Sequence, residues 1–388
     1  MTRIDSRAPA RLLDTTDELL SRDAAQQLIE QAVKLRRSDA ITVSLGGARQ
    51  RNVRFAANQM STAGLVTDVS LAVTSNYGAK HAVVTTNDLT PAGIERCVRQ
   101  SEALAKLAPD DPEAMPALGP QQVAPVTAAW DDATAALDAE SAAKAAMAAL
   151  GPARRDGSLT VAGFLIVGGG ISAMGNDVGL FHYHRGTTAN YTLTVRTTDG
   201  TGSGWAGAET TAMAALDSEA LAARAIEKAR LSRNPVAIEP GRYTVILEPQ
   251  AVGDLVQILA FYADARSADE GRSPFTKQGG GTKLGERVVD PRVTLYSDPA
   301  DRGILAQPWD GDGLPLVRQT WIDQGVLRTL QYSRFWAKKQ GRTPTGGANN
   351  IVMAGGTTSR DAMIRSTARG LLVTRLWYLR EVDPRTAL

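Results

Sequence analysis

The hydrophobic and polar positions change period several times along the chain. Over residues 23–37, Ala24, Leu28, Ile29, Ala32, Val33 and Leu35 recur mainly at helical spacing, which predicts an amphipathic helix. Strand-like runs follow in AITVSLGGA, RNVRFAANQM, LVTDVSLAVTS and KHAVVTTND. Gly46-Gly47 and Asn76-Tyr77-Gly78 are read as turns between them. A second helix is expected from Thr90-Pro91 to about Leu107, with Ile94, Val98, Ala103 and Leu104 on its apolar side. Residues 109–126, rich in proline and acids and without periodicity, read as a linker.

An alanine-rich helix is expected over 137–150, opened by Asp138 or Glu140 and closed near Gly151-Pro152. Strands are expected at 160–167, 178–184 and 190–198, with turns at 175–177 and Arg185-Gly186. The stretch 200–207 reads as a glycine-rich loop and 217–231 as a helix. Residues 243–247 read as a buried strand. Glu248-Pro249 then opens a helix whose core face is expected to hold Ala251, Val252, Leu255, Ile258, Leu259 and Tyr262. Further on, a mobile loop is expected around the triple glycine 279–281, strands at 292–296, 317–322 and 326–330, and a hairpin turn at 323–325 in WIDQGVL. The expected organisation is α+β. A polar lead-in (1–22) precedes an N-terminal domain with a mostly antiparallel sheet (23–108), a linker (109–126), a central domain (127–234) and a β-rich C-terminal domain (235–388).

Composition narrows the functional classes. With 43 Lys and Arg against 41 Asp and Glu in 388 residues, and no basic block, nucleic-acid binding has no electrostatic footprint. The single cysteine, Cys97, excludes an internal disulfide, agrees with a reducing compartment, and fits a small buried thiol in a helix. No run approaches the ~20 apolar residues of a membrane span and no signal-peptide pattern opens the chain, so a cytoplasmic location is expected.

Several motifs imitate chemistry. Gly168, Gly170 and Ala173 have the spacing of a dinucleotide fingerprint, but the following residues predict a strand where that fingerprint needs a helix. Gly279 to Lys283 lacks the Gly-Lys-Thr order of a P-loop, and Thr201 stands where a nucleophile elbow at Ser203 needs glycine. Asp310 and Asp312 lack the spaced acid of a calcium loop. His182 and His184, at i and i+2 of a strand, share one face and are weak metal candidates, one ligand short of a catalytic zinc site.

The segment VILEPQAVGDL resembles the strand-to-helix junction of the TldD/PmbA (TldE) peptidase family, once called modulators of DNA gyrase. RFAANQ (54–59), the glycine-rich 200–207, QPWDGDGLP (307–315) and the C-terminal LLVTRLWYLREVDPRTAL are also similar to segments of that family. Catalytic members carry His-Glu-x-x-x-His at the junction. Here Pro249 and Asp254 stand at the histidine positions and Gln250 at the glutamate. Proline has no side-chain donor atom and an amide is no base at neutral pH, so the chemistry of the motif is lost.

The resemblance therefore implies the non-catalytic, TldE-like subunit of a heterodimeric zinc peptidase acting on short or unfolded peptides, with no cofactor in this chain and zinc in a TldD-like partner. It further implies peptide contacts near Gly204 and Trp205 and near Thr345 and Gly346; members of that family usually continue with more strands, so that either the chain is truncated or the family's last sheet is incomplete here. The alternatives are a stand-alone peptide-binding homodimer, and a hydrolase with a relocated metal site at His182 and His184.

Overall fold

The computed structural model describes residues 19–383 and Arg385. The chain divides into two units. One takes the residues up to Gln121 with Ala129–Leu231, the other Gln122–Ala128 and the residues from Ser232 on.

The first unit runs α1 (Arg22–Lys34), β1 (Ala40–Ala56), β2 (Gln59–Tyr77), β3 (Lys80–Thr86), α2 (Pro91–Leu107), α3 (Asp132–Ala135), α4 (Ala139–Asp156), β4 (Leu159–Asn176), β5 (Phe181–Thr197), β6 (Ser203–Thr210) and α5 (Ser218–Leu231). Local sequence sets the helix starts. Ser21, Thr90 and Asp138 each accept a backbone N–H of the first turn, and Pro91 occupies a first-turn position that needs no donor. All six strands form one antiparallel sheet in the order β3-β2-β1-β4-β5-β6. Odd-numbered residues of β1 feed two cores: Ile41, Val43 and Leu45 pack with α1 and α2, Val53 and Phe55 with α4 and α5. Strand alternation puts both cores on one face, so the helices line a single side of the sheet.

The unit is a repeat. Helix, long strand, long strand, short strand, helix occurs twice, with strands of 17, 19 and 7 residues matched by 18, 17 and 8. The halves meet at β1 and β4, from Thr42 opposite Asn176 to Phe55 opposite Gly163. Segments 23–108 and 127–234, separated by pattern in the sequence, are thus two halves of one sheet.

Five expectations fail here, each because a glycine, or a glycine next to proline, reads as punctuation. Gly46-Gly47 lies inside β1, so the first half has three strands and not four. A Cβ on Gly47 would sit 3.3 Å from Ile171 and 3.4 Å from Val69. Arg185-Gly186 lies inside β5, and Gly168, Gly170 and Ala173 inside β4. The 200–207 segment becomes β6 from Ser203 on. Helix α4 continues through Gly151-Pro152 to Asp156, held by buried Ala149, Leu150 and Ala153, and ends at Gly157 with φ 69°.

The turn that does reverse β1 is Ala57-Asn58, with φ 48° and 62°. This left-handed pair suits a tight hairpin. Asn58 clamps it to β4, donating to the Leu159 carbonyl at 2.8 Å and accepting from the Val161 N–H at 2.8 Å. Ala57 is strained without such recompense. Ala57→Gly is expected to raise unfolding free energy by about 0.5–1 kcal/mol, checked by urea titration.

The second unit runs β7 (Thr244–Leu247), α6 (Pro249–Phe261), α7 (Ala265–Asp269), β8 (Leu295–Ser297), β9 (Gln319–Asp323), β10 (Val326–Leu327), α8 (Arg334–Lys339), β11 (Val352–Met353), α9 (Arg360–Ser366) and β12 (Gly370–Val373). Its sheets are β10-β9-β8-β11 and a parallel pair of β12 with β7. The WIDQGVL hairpin forms as expected, with Gln324 at φ 47° and Gly325 at φ 81°. Phe275, Leu295, Ile322, Leu330, Tyr332 and Trp336 build its core. Strand β7 is not buried as expected. Thr244 and Val245 are exposed, because a two-stranded sheet leaves surface uncovered. On α6 only Ala251 is fully buried, and Leu255 is 44% exposed.

Candidate functional site

The β7–α6 junction is fixed by Glu248. Its N–H donates to the Val373 carbonyl at 2.9 Å, and its buried carboxylate accepts from Arg360 Nη1 at 2.9 Å. The clamp ties β7 to β12 and α9. From the sequence Glu248 is expected only to open a helix together with Pro249, since a partner 112 residues away leaves no local signal.

Just past this clamp, Pro249 and Gln250 are exposed on the first turn of α6 and Asp254 is half-buried. Gln250 Nε2 donates to Asp254 Oδ1 at 2.9 Å, an i,i+4 pair on one helix face. Asp254 Oδ2 is shielded and makes no hydrogen bond. The amide nitrogen thus faces the only carboxylate of the three positions, and Pro249 adds no donor. These residues do not fit zinc, which takes three protein ligands in catalytic sites. Among the described residues no group of three His, Cys, Asp or Glu could hold a metal ion.

Thr345 and Gly346 lie in a loop braced from within the second unit. Thr345 Oγ1 accepts the Tyr332 N–H at 2.9 Å. Gly346 has φ 68°, and a Cβ there would come 2.8 Å from Asp310 Oδ2. Asp310 Oδ1 accepts the N–H groups of Asp312 and Leu314 at 3.0 and 2.9 Å, and burial pushes its carboxyl above the ordinary range. Asn349 donates to the carbonyls of Gln307 and Trp309 at 2.8 and 2.9 Å. The 345–349 and 307–316 loops, singled out separately in the sequence, are therefore one hydrogen-bonded surface.

Gly204 and Trp205 belong to the first unit. Gly204 lets β6 lie close against α5: a Cβ would come 2.1 Å from the Ala225 carbonyl and 2.5 Å from the Ala229 nitrogen. Half-buried Trp205 offers its carbonyl to Lys228 Nζ at 3.3 Å. His182 and His184 share a face of β5, opposite Met174 and Ser172. His182 is buried, and burial lowers the pKa of half-buried His184. His81 lies on β3, 3.8 Å from Asp111. Cys97 is buried as expected, and burial pushes its thiol up.

The fold and the strand-to-helix junction define the class of the PmbA/TldD metallopeptidases. Residues 43–105 match the model for PmbA/TldA metallopeptidase domain 1, and 240–388 match that for the C-terminal domain, together more than half of the chain. The chain belongs to the PmbA/TldD family. It is 29% identical over 137 residues to a metalloprotease of Methanothermobacter thermautotrophicus, covering 35% of this chain and 29% of the relative. It is also 29% identical over 97 residues to metalloprotease PmbA of Escherichia coli O157:H7, covering 24% of this chain and 22% of the relative. The aligned stretches thus span under a third of these curated relatives.

The fold is similar to that of TldE from Thermococcus kodakarensis, with a TM-score of 0.80 at 18% identity over 93% of this chain and 84% of the other. A Bacteroides thetaiotaomicron protein described as a candidate modulator of DNA gyrase has a TM-score of 0.82 at 18% identity, over 95% and 85%. Among the described residues no helix is long and apolar enough to cross a membrane.

Proposed function

We propose that the chain is the non-catalytic, TldE-like subunit of a two-chain zinc metallopeptidase acting on short or unfolded peptides, its partner supplying His-Glu-x-x-x-His. The observation that carries this reading is the junction itself. A strand, a clamped turn and a helix form there, while positions 249, 250 and 254 hold a proline, an amide and one carboxylate already engaged by that amide. A proton-abstracting carboxylate and a zinc-bound water have no place to form there. The remaining role is to complete a partner's peptide channel, for which exposed strand edges offer main-chain hydrogen bonds to an extended substrate.

The test is to purify the chain alone and together with a His-Glu-x-x-x-His family member, then measure zinc and cleavage of an unstructured peptide. The chain alone is expected to hold far less than one zinc and to show no chelator-sensitive cleavage. The pair is expected to co-elute and cleave. Stoichiometric zinc with activity in the isolated chain would overturn the reading.

A further inference from the structure

Between the two cores of the first unit, the helix-bearing face of β1 turns from apolar to basic. Leu45 is the last residue of β1 in one core and Val53 the first in the other, and the positions between them on that face include Arg49 and Arg51. Arg49 is paired with Thr67 of β2 and Gly169 of β4, and Arg51 with Leu65 and Val167. None of these is an acid. One row away on the same face, Arg185 of β5 stands opposite Ile171 and adds a third cation.

Neither β1 arginine is neutralised. Arg49 is half-buried, its Nε is shielded from water, and it makes no hydrogen bond or ion pair with any described residue. Arg51, also half-buried, gives its Nε to the Leu137 carbonyl at 2.6 Å and leaves both Nη groups unpaired. Segment 130–138, held to this face by Arg51 and by Thr187, brings three acids, and each is engaged within the segment or at the start of α4. Asp131 accepts from the N–H and hydroxyl of Thr134, Asp132 from Trp130 Nε1 at 2.7 Å, and Asp138 from the Ser141 N–H at 2.7 Å. Arg51 is the smallest of the influences that hold the Asp138 carboxyl below its ordinary range. The Arg185 guanidinium is likewise placed, 4.4 Å from the centroid of the Trp130 ring. A guanidinium drawn out of water without an acceptor is costly, and its planar fork matches the oxygens of an oxyanion.

We propose that Arg49 and Arg51 bind a phosphate-type oxyanion, either the free ion or the phosphoryl group of a small metabolite, between the two cores of the first unit. Residues two apart on a strand stand on one face about 7 Å from each other, close enough for two long side chains to meet on one anion. A tetrahedral phosphate has oxygens for two guanidinium forks, whereas a carboxylate fills one. The site belongs wholly to the first unit, and the proposal does not rest on the peptidase reading.

The test reads the melting temperature of the full chain as inorganic phosphate, glycerol phosphate or acetate replaces chloride at equal ionic strength. Inorganic phosphate is expected to raise it with a dissociation constant of about 1 mM or below, while acetate acts as chloride does. Arg49→Met keeps the apolar stem and removes the fork. It is expected to weaken the phosphate response by about tenfold or more and to leave the melting temperature in chloride unchanged or higher, because an unpartnered charge has gone. Arg49→Lys keeps the charge without the fork and is expected to fall between the two. A response to glycerol phosphate at lower concentration than to inorganic phosphate assigns the site to a phosphorylated metabolite, and a weaker one assigns it to the free ion. Equal effects of phosphate and acetate, a phosphate response undiminished in Arg49→Met, or a lower melting temperature of that variant in chloride would each overturn the proposal.

Discussion

Glu102→Ala is expected to lower the unfolding free energy by about 3–5 kcal/mol, read from urea titration at neutral pH. Glu102 is one of the few buried charged residues, at 5% exposure. One carboxylate oxygen accepts the N–H groups of Arg37 and Ser38, the latter at 3.1 Å, just beyond the end of α1. The other meets Arg99 Nη1, while Arg99 Nη2 donates to the Leu35 carbonyl. One side chain of α2 thereby satisfies the chain leaving α1 and neutralises a half-buried guanidinium. Truncation leaves two N–H groups without their acceptor, in a place water reaches poorly, and leaves Arg99 with only the Leu35 carbonyl and the more distant Glu95 carboxylate at 4.0 Å. Glu102→Gln keeps an acceptor but loses the ion pair, and is expected to cost less than the alanine variant. Equal and small losses in both would show that the network carries no weight.

Gly204→Val is expected to destabilise the chain by about 2–4 kcal/mol, as overpacking where backbone is the obstacle. Ala225 and Ala229 cannot yield without moving α5 off the sheet. The variant also separates two roles for this glycine. If close packing is its whole role, Gly204→Val lowers the melting temperature while Trp205→Ala alone alters peptide affinity in the proposed two-chain complex. A Gly204→Val protein with unchanged stability and weakened peptide binding would return Gly204 to the substrate surface.

Features of the fold that depend on near neighbours were legible in the sequence. The caps at Thr90 and Asp138, the Gln324-Gly325 hairpin and the start of α6 at Pro249 are determined within four residues, and each stands where the pattern put it. Glycine misled the reading because it has two uses. It makes turns, and it also lets a neighbouring strand or helix come close, as Gly47 and Gly204 do. Sequence cannot tell these apart without knowing what lies across the sheet. Of the candidate site, the Gln250–Asp254 pairing follows from helical spacing, whereas Glu248 with Arg360, and Gly346 with Asp310, join residues too distant in sequence to be foreseen.

The seam between β1 and β4 bears on how the first unit holds together. Each half brings one long central strand, and each alone would present that strand to water as a raw edge. The covalent connection from α2 to α3, of which Gln122–Ala128 belongs to the second unit, keeps the two halves at an effective concentration roughly in the millimolar range, so that what would be a bimolecular encounter becomes a first-order closure. The halves can therefore be individually too weak to persist and still be permanently joined. The linker, though without helix or strand over 109–126, is also pinned to the sheet, the Asp111 N–H donating to the Ala79 carbonyl at 3.0 Å and Asn176 to the Leu118 carbonyl at 2.8 Å.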